Sequence, residues 1–202
     1  MRATTRNVGG DVVVNDVSIL EQEIFALRQE VRTLRLANEE LERLVVRDTL
    51  TPLFNRRYFI DSLSDRLSRL ERYGTQSALL FIDVNAMKRI NDSFGHSAGD
   101  FALNHIARLI ASTVRSSDVA ARVGGDEFAL LLDGLDERAA TDKAQSLARL
   151  IASTDCRFGN DRLPLSVAVG CTTLRPGDSD FIAIARADMA MYASKPPARE
   201  AS

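Results

Sequence analysis

An α/β domain carried behind a long coiled-coil helix is what the sequence predicts, on three observations. Apolar residues step by three and four without a break from Val17 to Val45. Beyond Pro52, helical and strand patterns alternate. Two apolar strands are joined by the short glycine turn of RVGGDEFALLL, Arg122–Leu132.

In the first segment Val17, Leu20, Ile24, Leu27, Val31, Leu34, Asn38, Leu41 and Val45 occupy successive a and d positions of a heptad seam. β-Branched residues dominate a and Leu dominates d, a combination that favours two strands. Glu23 and Glu30 at g would face Arg28 and Arg35 at e of a parallel partner, and Asn38 at an a position would pair with its twin and fix the register. At 1.5 Å per residue the rod from Val17 to Asp48 is about 48 Å long. An amphipathic helix packed on its own domain is the alternative; the polar fill of the remaining positions, with Phe25 as the one aromatic, works against it. Asp48 is an acid at a d position, so a helix junction is expected there. The division that follows is a flexible tail, 1–16, a parallel dimeric coiled coil, 17–48, and a folded domain, 49–202.

Within the domain the pattern predicts a helix over 55–72 ended by Gly74, a buried strand over 78–84, a short helix over 86–94 closed by Gly95, and a helix over 100–114 with Phe101, Leu103, Ile106, Leu109 and Ile110 on its apolar face. Strands over 119–123 and 127–133 form an antiparallel hairpin; a helix over 139–151, a strand over 164–174 and a helix over 180–194 complete the chain.

Composition narrows the partners. A formal net charge of -2 leaves no global basic field for nucleic acid or an anionic membrane. The apolar runs are a few residues long, against the roughly 20 that span a bilayer, so no membrane insertion is expected. The first residues do not read as a secretory signal. Cys156 and Cys171 show no metal-ligand spacing. A cytoplasmic location is the expectation.

Three stretches hold candidate chemistry. In RVGGDEF the glycines tolerate positive φ and leave amides open to a phosphate, while Asp126 and Glu127 sit at the tip; a solvated hairpin turn is the alternative. In FIDVNAMK, Asp83 ends an apolar strand, where a buried carboxylate needs compensation. A divalent cation shared with Asp126 would provide it, as would a helix-capping role. Ala86, Met87 and Lys88 then open a helix whose free amides and positive end suit an anion. In NDSFGHSAGD, Asn91 and Asp100 flank a Gly-containing turn. A carboxylate accepts from the N1–H and amine of guanine and an Asn amide reads its acceptor edge, although Asp100 would serve equally as a helix N-cap.

These motifs, in this order, resemble the diguanylate cyclase family, whose GGDEF domain is named for the signature at Gly124–Phe128. The resemblance covers about three quarters of the chain and rests on DTLTPLFNRRYF, FIDVNAMKRINDSFGHSAGD, RVGGDEF and RADMAMYASK. It implies a palm-like nucleotidyl cyclase fold with a central, largely antiparallel five-stranded sheet flanked by helices, and synthesis of cyclic di-GMP from two GTP. It further implies Mg²⁺, with Mn²⁺ as a substitute, on Asp83, the Val84 carbonyl and Asp126. Asn91 and Asp100 would read guanine with His96 lining the pocket. Lys88, the amides of Ala86 and Met87, Lys195 and Arg199 would hold phosphates, and Glu127 or Asp126 would assist deprotonation of the ribose 3'-hydroxyl. Arg115 and Asp118 of RSSD match the family's product-inhibition motif, with Arg149 as a candidate from a second domain. One domain holds one GTP, so a homodimer through 17–48 is implied.

The chain departs from the family pattern at Pro52, Asn85, Ala86-Met87 and Pro196-Pro197-Ala198; the double proline works against the phosphate roles of Lys195 and Arg199. Two other classes fit parts of the pattern. A domain that binds GTP or cyclic di-GMP without catalysis predicts loss of Asp83 or Asp126, and an ATP cyclase predicts loss of the Asn91–Asp100 pair.

Overall fold

The structure, a computed structural model, describes residues 9–195, apart from the side chains of 9–21, 39–40 and 42–45. Contacts divide the chain into two compact units, Met1–Val45 and Val46–Ser202. The first is helix α1, Gly9–Val46, which begins ahead of the heptads, so residues 9–16, expected as tail, are helical. Its seam residues Ile24, Leu27, Val31, Leu34 and Leu41 are all exposed in the single chain, Leu34 to 62%.

In the second unit α2 (Arg56–Tyr73) starts where the Asn55 side chain accepts the Tyr58 amide and stops at Gly74, whose φ of 67° places it in the left-handed region. Then come β1 (Ser77–Val84), α3 (Met87–Phe94), α4 (His96–Thr113), β2 (Val119–Arg122), β3 (Glu127–Asp133) and α5 (Glu137–Ser153). β4 (Cys156–Phe158), β5 (Asp161–Leu163), β6 (Val167–Thr173) and α6 (Asp180–Ser194) follow.

The main sheet has four strands in the order β2-β3-β1-β6, every neighbour antiparallel, rather than the five expected. Two features account for the difference. Cys156–Leu163, which carried no strand signal strong enough to assign, folds back at Gly159 and pairs β4 with β5 as a separate ribbon. Beyond β2, the fifth position holds only a single-residue parallel bridge from Phe54 to Ala121. The segment cannot run on as a strand, because Asp48 folds Thr49–Leu53 into a turn that contains Pro52.

Alternation along β1 separates two cores. Ala78, Leu80, Ile82 and Val84 pack with α3, α4 and α5, while Leu79 and Phe81 pack with α2 and α6. β6 alternates between the same cores, so its pattern marks two covered faces. α6 rests on β6 at Gly170, where an added methyl would collide with the Ala187 carbonyl and the Met191 amide. α4 begins at His96 rather than Asp100, because Gly95 at φ 84° makes the turn between α3 and α4. That start puts Phe101 at 41% exposure instead of on the buried face, which is formed by Ala98, Ala102, Leu103, Ile106 and Ile110.

Candidate active site

The site lies at one end of the β1–β3 ladder. Antiparallel register sets Asp83 opposite Glu127, and the Val84 amide donates to the Asp126 carbonyl at 3.0 Å. Carboxylates from two distant sequence segments therefore arrive at one place. By alternation Asp83 and Glu127 share the face covered by α2 and α6, whereas neighbouring Asp126 belongs to the turn.

The turn closes with the amides of Val123 and Gly124 both donating to the Glu127 carbonyl. Neither Gly124 nor Gly125 adopts positive φ, so the glycines are not there for backbone freedom as expected. Gly124 leaves room for the Glu127 carboxylate, which folds over it and would have to swing aside for a methyl, while Gly125 has open space.

The electrostatics are unbalanced towards negative charge. Burial, Asp83, Asp126 and Asp188 push the Glu127 carboxyl above its ordinary range, in that order, with Arg56 opposing them. Asp83, whose side chain is 16% exposed, is met by the Lys195 ammonium at 3.1 Å. Lys195 is the residue that caps the end of α6, so the C-terminal lysine expected at phosphates stands first beside a carboxylate. Arg199 lies outside the described residues.

Beyond β1, Ala86 is the cap of α3 rather than its first residue. Its φ of 58° is the one positive value at a non-glycine among the described residues, and it offers no side-chain acceptor. The first amides of α3, including Met87 and Lys88, consequently receive no side-chain cap. Lys88 is exposed and the Met87 side chain is buried.

Of the candidate base-reading pair, Asn91 lies against the residue that precedes Asp100. Asn91 lies across Gly99, since a methyl on Gly99 would collide with Asn91 Oδ1, and Asp100 is the next residue. Asp100 sits in the second turn of α4, which removes the N-cap alternative, and His96 is exposed one turn before it. Asp100 lines a cavity of about 300 Å³ with Leu50, Phe101, Asn104, His105 and Arg108. Asn104 donates to the Leu50 carbonyl at 2.7 Å, yet Asn104 Oδ1 and His105 Nε2 are buried with no partner among the described residues. Sequence reading missed both, since each looks like ordinary polar filler on a helix; their unpartnered atoms become visible only in three dimensions.

A second missed pair explains the acid at the end of the heptads. Asp48 accepts from the Leu50 and Thr51 amides and the Thr51 hydroxyl, and meets Arg122 Nη1 at 3.4 Å. Arg122 also donates from Nη2 and Nε to the Gly125 carbonyl at 2.6 and 3.2 Å. Burial alone would raise the Asp48 carboxyl, but the Thr51 hydrogen bonds, Arg122 and the Leu50 amide together hold it below the usual range. The junction segment is thus wired to the tip of the hairpin. Arg47 adds a cation–π contact, 3.8 Å over the Phe54 ring.

The RSSD residues lie at the opposite end of the sheet. Both Asp118 oxygens are engaged, one by the Arg115 amide at 2.8 Å and one by the Asp133 amide at 3.2 Å. Asp118 lines a groove of about 540 Å³ with Arg66, Arg69 and Asp65, and neither Arg115 nor Arg149 is part of that lining. Arg115 is exposed, and Arg149 lies exposed on α5 with Nη2 3.2 Å from Ser146 Oγ. Arg69 went unremarked in the sequence because a lone arginine on an amphipathic helix carries no signal.

Among the described residues no three His, Cys, Asp or Glu side chains form a ready-made metal cluster, and no helix is long and apolar enough to cross a membrane.

The family profile described as the diguanylate cyclase GGDEF domain matches residues 45–201. The bifunctional diguanylate cyclase/cyclic di-GMP phosphodiesterase MucR of Pseudomonas aeruginosa is 34% identical over 186 residues, covering 91% of this chain and 27% of that protein. Diguanylate cyclase A of Treponema denticola is 28% identical over 179 residues, 87% of this chain and 48% of its own length. The chain thus spans between about a quarter and a half of the length of these relatives. The crystal structure of the coiled coil and GGDEF domain of DgcB from Caulobacter crescentus in complex with c-di-GMP aligns with TM-score 0.81 at 29% identity, covering 89% of this chain and 96% of that one. Diguanylate cyclase SiaD, crystallised with its activator SiaC from P. aeruginosa, aligns at 0.73 with 30% identity, over 91% of this chain and 71% of that one. With most of its length matched by the profile and the hairpin, strand-end acid and α3–α4 turn in the positions described, the chain belongs to the diguanylate cyclase GGDEF-domain family.

Proposed function

We propose that the chain is a diguanylate cyclase that condenses two GTP into cyclic di-GMP and two pyrophosphates as a homodimer joined by a parallel coiled coil over residues 17–48. One observation carries the reading: register between β1 and β3 assembles Asp83, Asp126 and Glu127 beside the uncapped start of α3.

The donor set fits a hard divalent cation, since two carboxylates and a carbonyl leave positions for phosphate oxygens, and Lys195 already answers the charge of Asp83. Asp83, the Val84 carbonyl and Asp126 would hold Mg²⁺. When bound it would neutralise charge on the triphosphate.

This chain's own residues do the rest. Asp100 orients guanine in the cavity that Leu50 and Asn104 line, Asn91 and His96 add to recognition of the same base, and Asn104 Oδ1 and His105 Nε2 offer further partners. Lys88 and the amides at the start of α3 take phosphate oxygens, and Lys195 turns from Asp83 towards them as the nucleotide enters. The 3'-hydroxyl of one GTP attacks the α-phosphorus of the other; its proton passes to Glu127 or Asp126, the O–P bond forms, and pyrophosphate leaves. The same step with the roles exchanged closes the ring.

Tethering makes the encounter intramolecular. The exposed apolar seam and the Glu–Arg flanks of α1 support a parallel dimer. Product feedback through Arg115 and Asp118, with Arg69 in the same groove as Asp118, is part of the reading; Arg149 would have to reach it from another copy.

Incubation with Mg²⁺ and GTP should yield cyclic di-GMP by chromatography, whereas ATP yields no cyclic product. Equal turnover of ATP, or undiminished product from Asp126→Ala, would contradict the proposal.

A further inference from the structure

Asn104 is held with its oxygen free. Its Nδ2 donates to the Leu50 carbonyl at 2.7 Å, and the reverse orientation of the amide would set two acceptor oxygens at that distance. The tether to Leu50 therefore decides which end of the side chain carries the acceptor. That acceptor, Oδ1, is buried and has no partner among the described residues. A bare buried amide oxygen is costly and ordinarily finds a donor. Leu50, Asp100 and Asn104 line the same cavity of about 300 Å³. Asp100 and Asn104 are four residues apart on α4, so their side chains rise one turn apart on one face of the helix. The lining thus combines a carboxylate with a neutral amide oxygen in want of a donor.

A carboxylate and a further acceptor call for a base with a run of donors on one edge. Guanine has them in N1–H and the two hydrogens of its 2-amine. Adenine sets its amine beside a bare N1, and hypoxanthine has N1–H without the amine. From this match we infer that Asn104 is a specificity-determining residue: Asp100 takes N1–H and one amine hydrogen, and Asn104 Oδ1 takes the other. The inference rests on the reading of Asp100 as the guanine-binding carboxylate, and it adds an acceptor that answers to the amine alone. Asp100 by itself would keep its bond to N1–H of hypoxanthine. Asn104 would keep nothing, and Oδ1 would stay as bare as in the empty cavity. Leu50 makes no contact with the base edge in this arrangement; its carbonyl holds the amide that does.

Calorimetric titration of the full chain in Mg²⁺ with α,β-methylene GTP and α,β-methylene ITP, whose bases differ only in the 2-amine, tests this. The parent protein should bind the guanine analogue more tightly. In Asn104→Ala that preference should fall about tenfold, as for loss of one hydrogen bond, with binding of the ITP analogue held within about twofold. Asn104→Leu, which fills the space without an amide, should behave alike. Loss of the Leu50 tether alone would weaken both analogues equally, so equal losses, or an unchanged preference, would overturn the inference. Asp100→Ala should weaken both analogues, since both carry N1–H. If it weakens neither, the base lies elsewhere and the guanine reading of the cavity falls together with the inference. A preference that collapses in Asn104→Ala, in a protein whose parent makes no cyclic di-GMP from GTP, would uphold Asn104 and remove only the assigned reaction.

Discussion

The two ends of the β1–β3 ladder are built alike and treated oppositely. At one end Ser77 pairs with Asp133, at the other Asp83 with Glu127, so each end carries a partly buried carboxylate on β3. Asp133 is answered by a cation and a hydroxyl: its Oδ1 accepts from Arg66 Nε at 2.9 Å and Ser77 Oγ at 3.1 Å, while Arg66 also donates to the Ser117 carbonyl at 2.8 Å. Glu127 receives no hydrogen bond from a described residue and sits among Asp83, Asp126 and Asp188. The contrast separates an acid that holds the fold together from one kept at a cost to it, and such a cost is expected where chemistry is done.

The two ends should differ most in what a substitution at the acidic one does. Asp126→Ala should lower cyclic di-GMP formation by about a thousandfold or more with little change in melting temperature, as when a group acting on the reacting centre is removed. A stability loss of similar weight at both ends would erase the distinction.

At the satisfied end Asp133→Ala should cost about 3–5 kcal/mol in urea unfolding, because it strands the Arg66 guanidinium, which is only 8% exposed. Gly170→Ala is expected to cost about 1–3 kcal/mol by forcing α6 away from β6.

Glu127→Gln should move in the other direction, raising the melting temperature at pH 7 by about 1–3 °C while suppressing turnover. The sign follows from the raised carboxyl. The folded state favours its protonated form, so the stability it contributes is present below the unfolded value and is lost as pH rises through the folded one. The advantage of the variant should therefore vanish towards pH 4. Asp48 behaves inversely. Its lowered carboxyl contributes stability above the unfolded value that disappears as pH falls through the folded one. Asp48→Asn, which weakens the link through Arg122 to Gly125, should slow turnover by up to about tenfold, equivalent to about 1.4 kcal/mol. The smallest expected effect is that of Asn38→Leu: altered dimer register or oligomer state by sedimentation, with a modest change in turnover.

Much of this was legible in the sequence because it is periodic or local. The heptads, the alternation of helix and strand and the hairpin each repeat a short rule, and the element bounds moved by a few residues where a glycine or a cap intervened, as at Gly95. What sequence could not show depends on contacts across the chain. Gly124 makes room for the Glu127 side chain rather than supplying positive φ, and Asp48 is a partner of Arg122 rather than a misplaced seam residue. The fifth strand that the family resemblance implied is absent because Cys156–Leu163 pairs with itself and Phe54 makes only a single bridge to Ala121. In the site, Asp83 and Glu127 were visible as strand-end and turn acids, but that they face one another was fixed by register, which no local pattern encodes.

Under the proposed reaction two such acidic ends, one from each copy, are needed for one product. Mixing wild-type chains with an increasing excess of Asp126→Ala chains, and measuring cyclic di-GMP formed per wild-type chain, checks this requirement. Mixed dimers should form only one of the two phosphodiester bonds, so cyclic product per wild-type chain should fall towards zero while the linear dinucleotide accumulates. Cyclic product per wild-type chain that stays constant across the mixture would show that a single acidic end suffices.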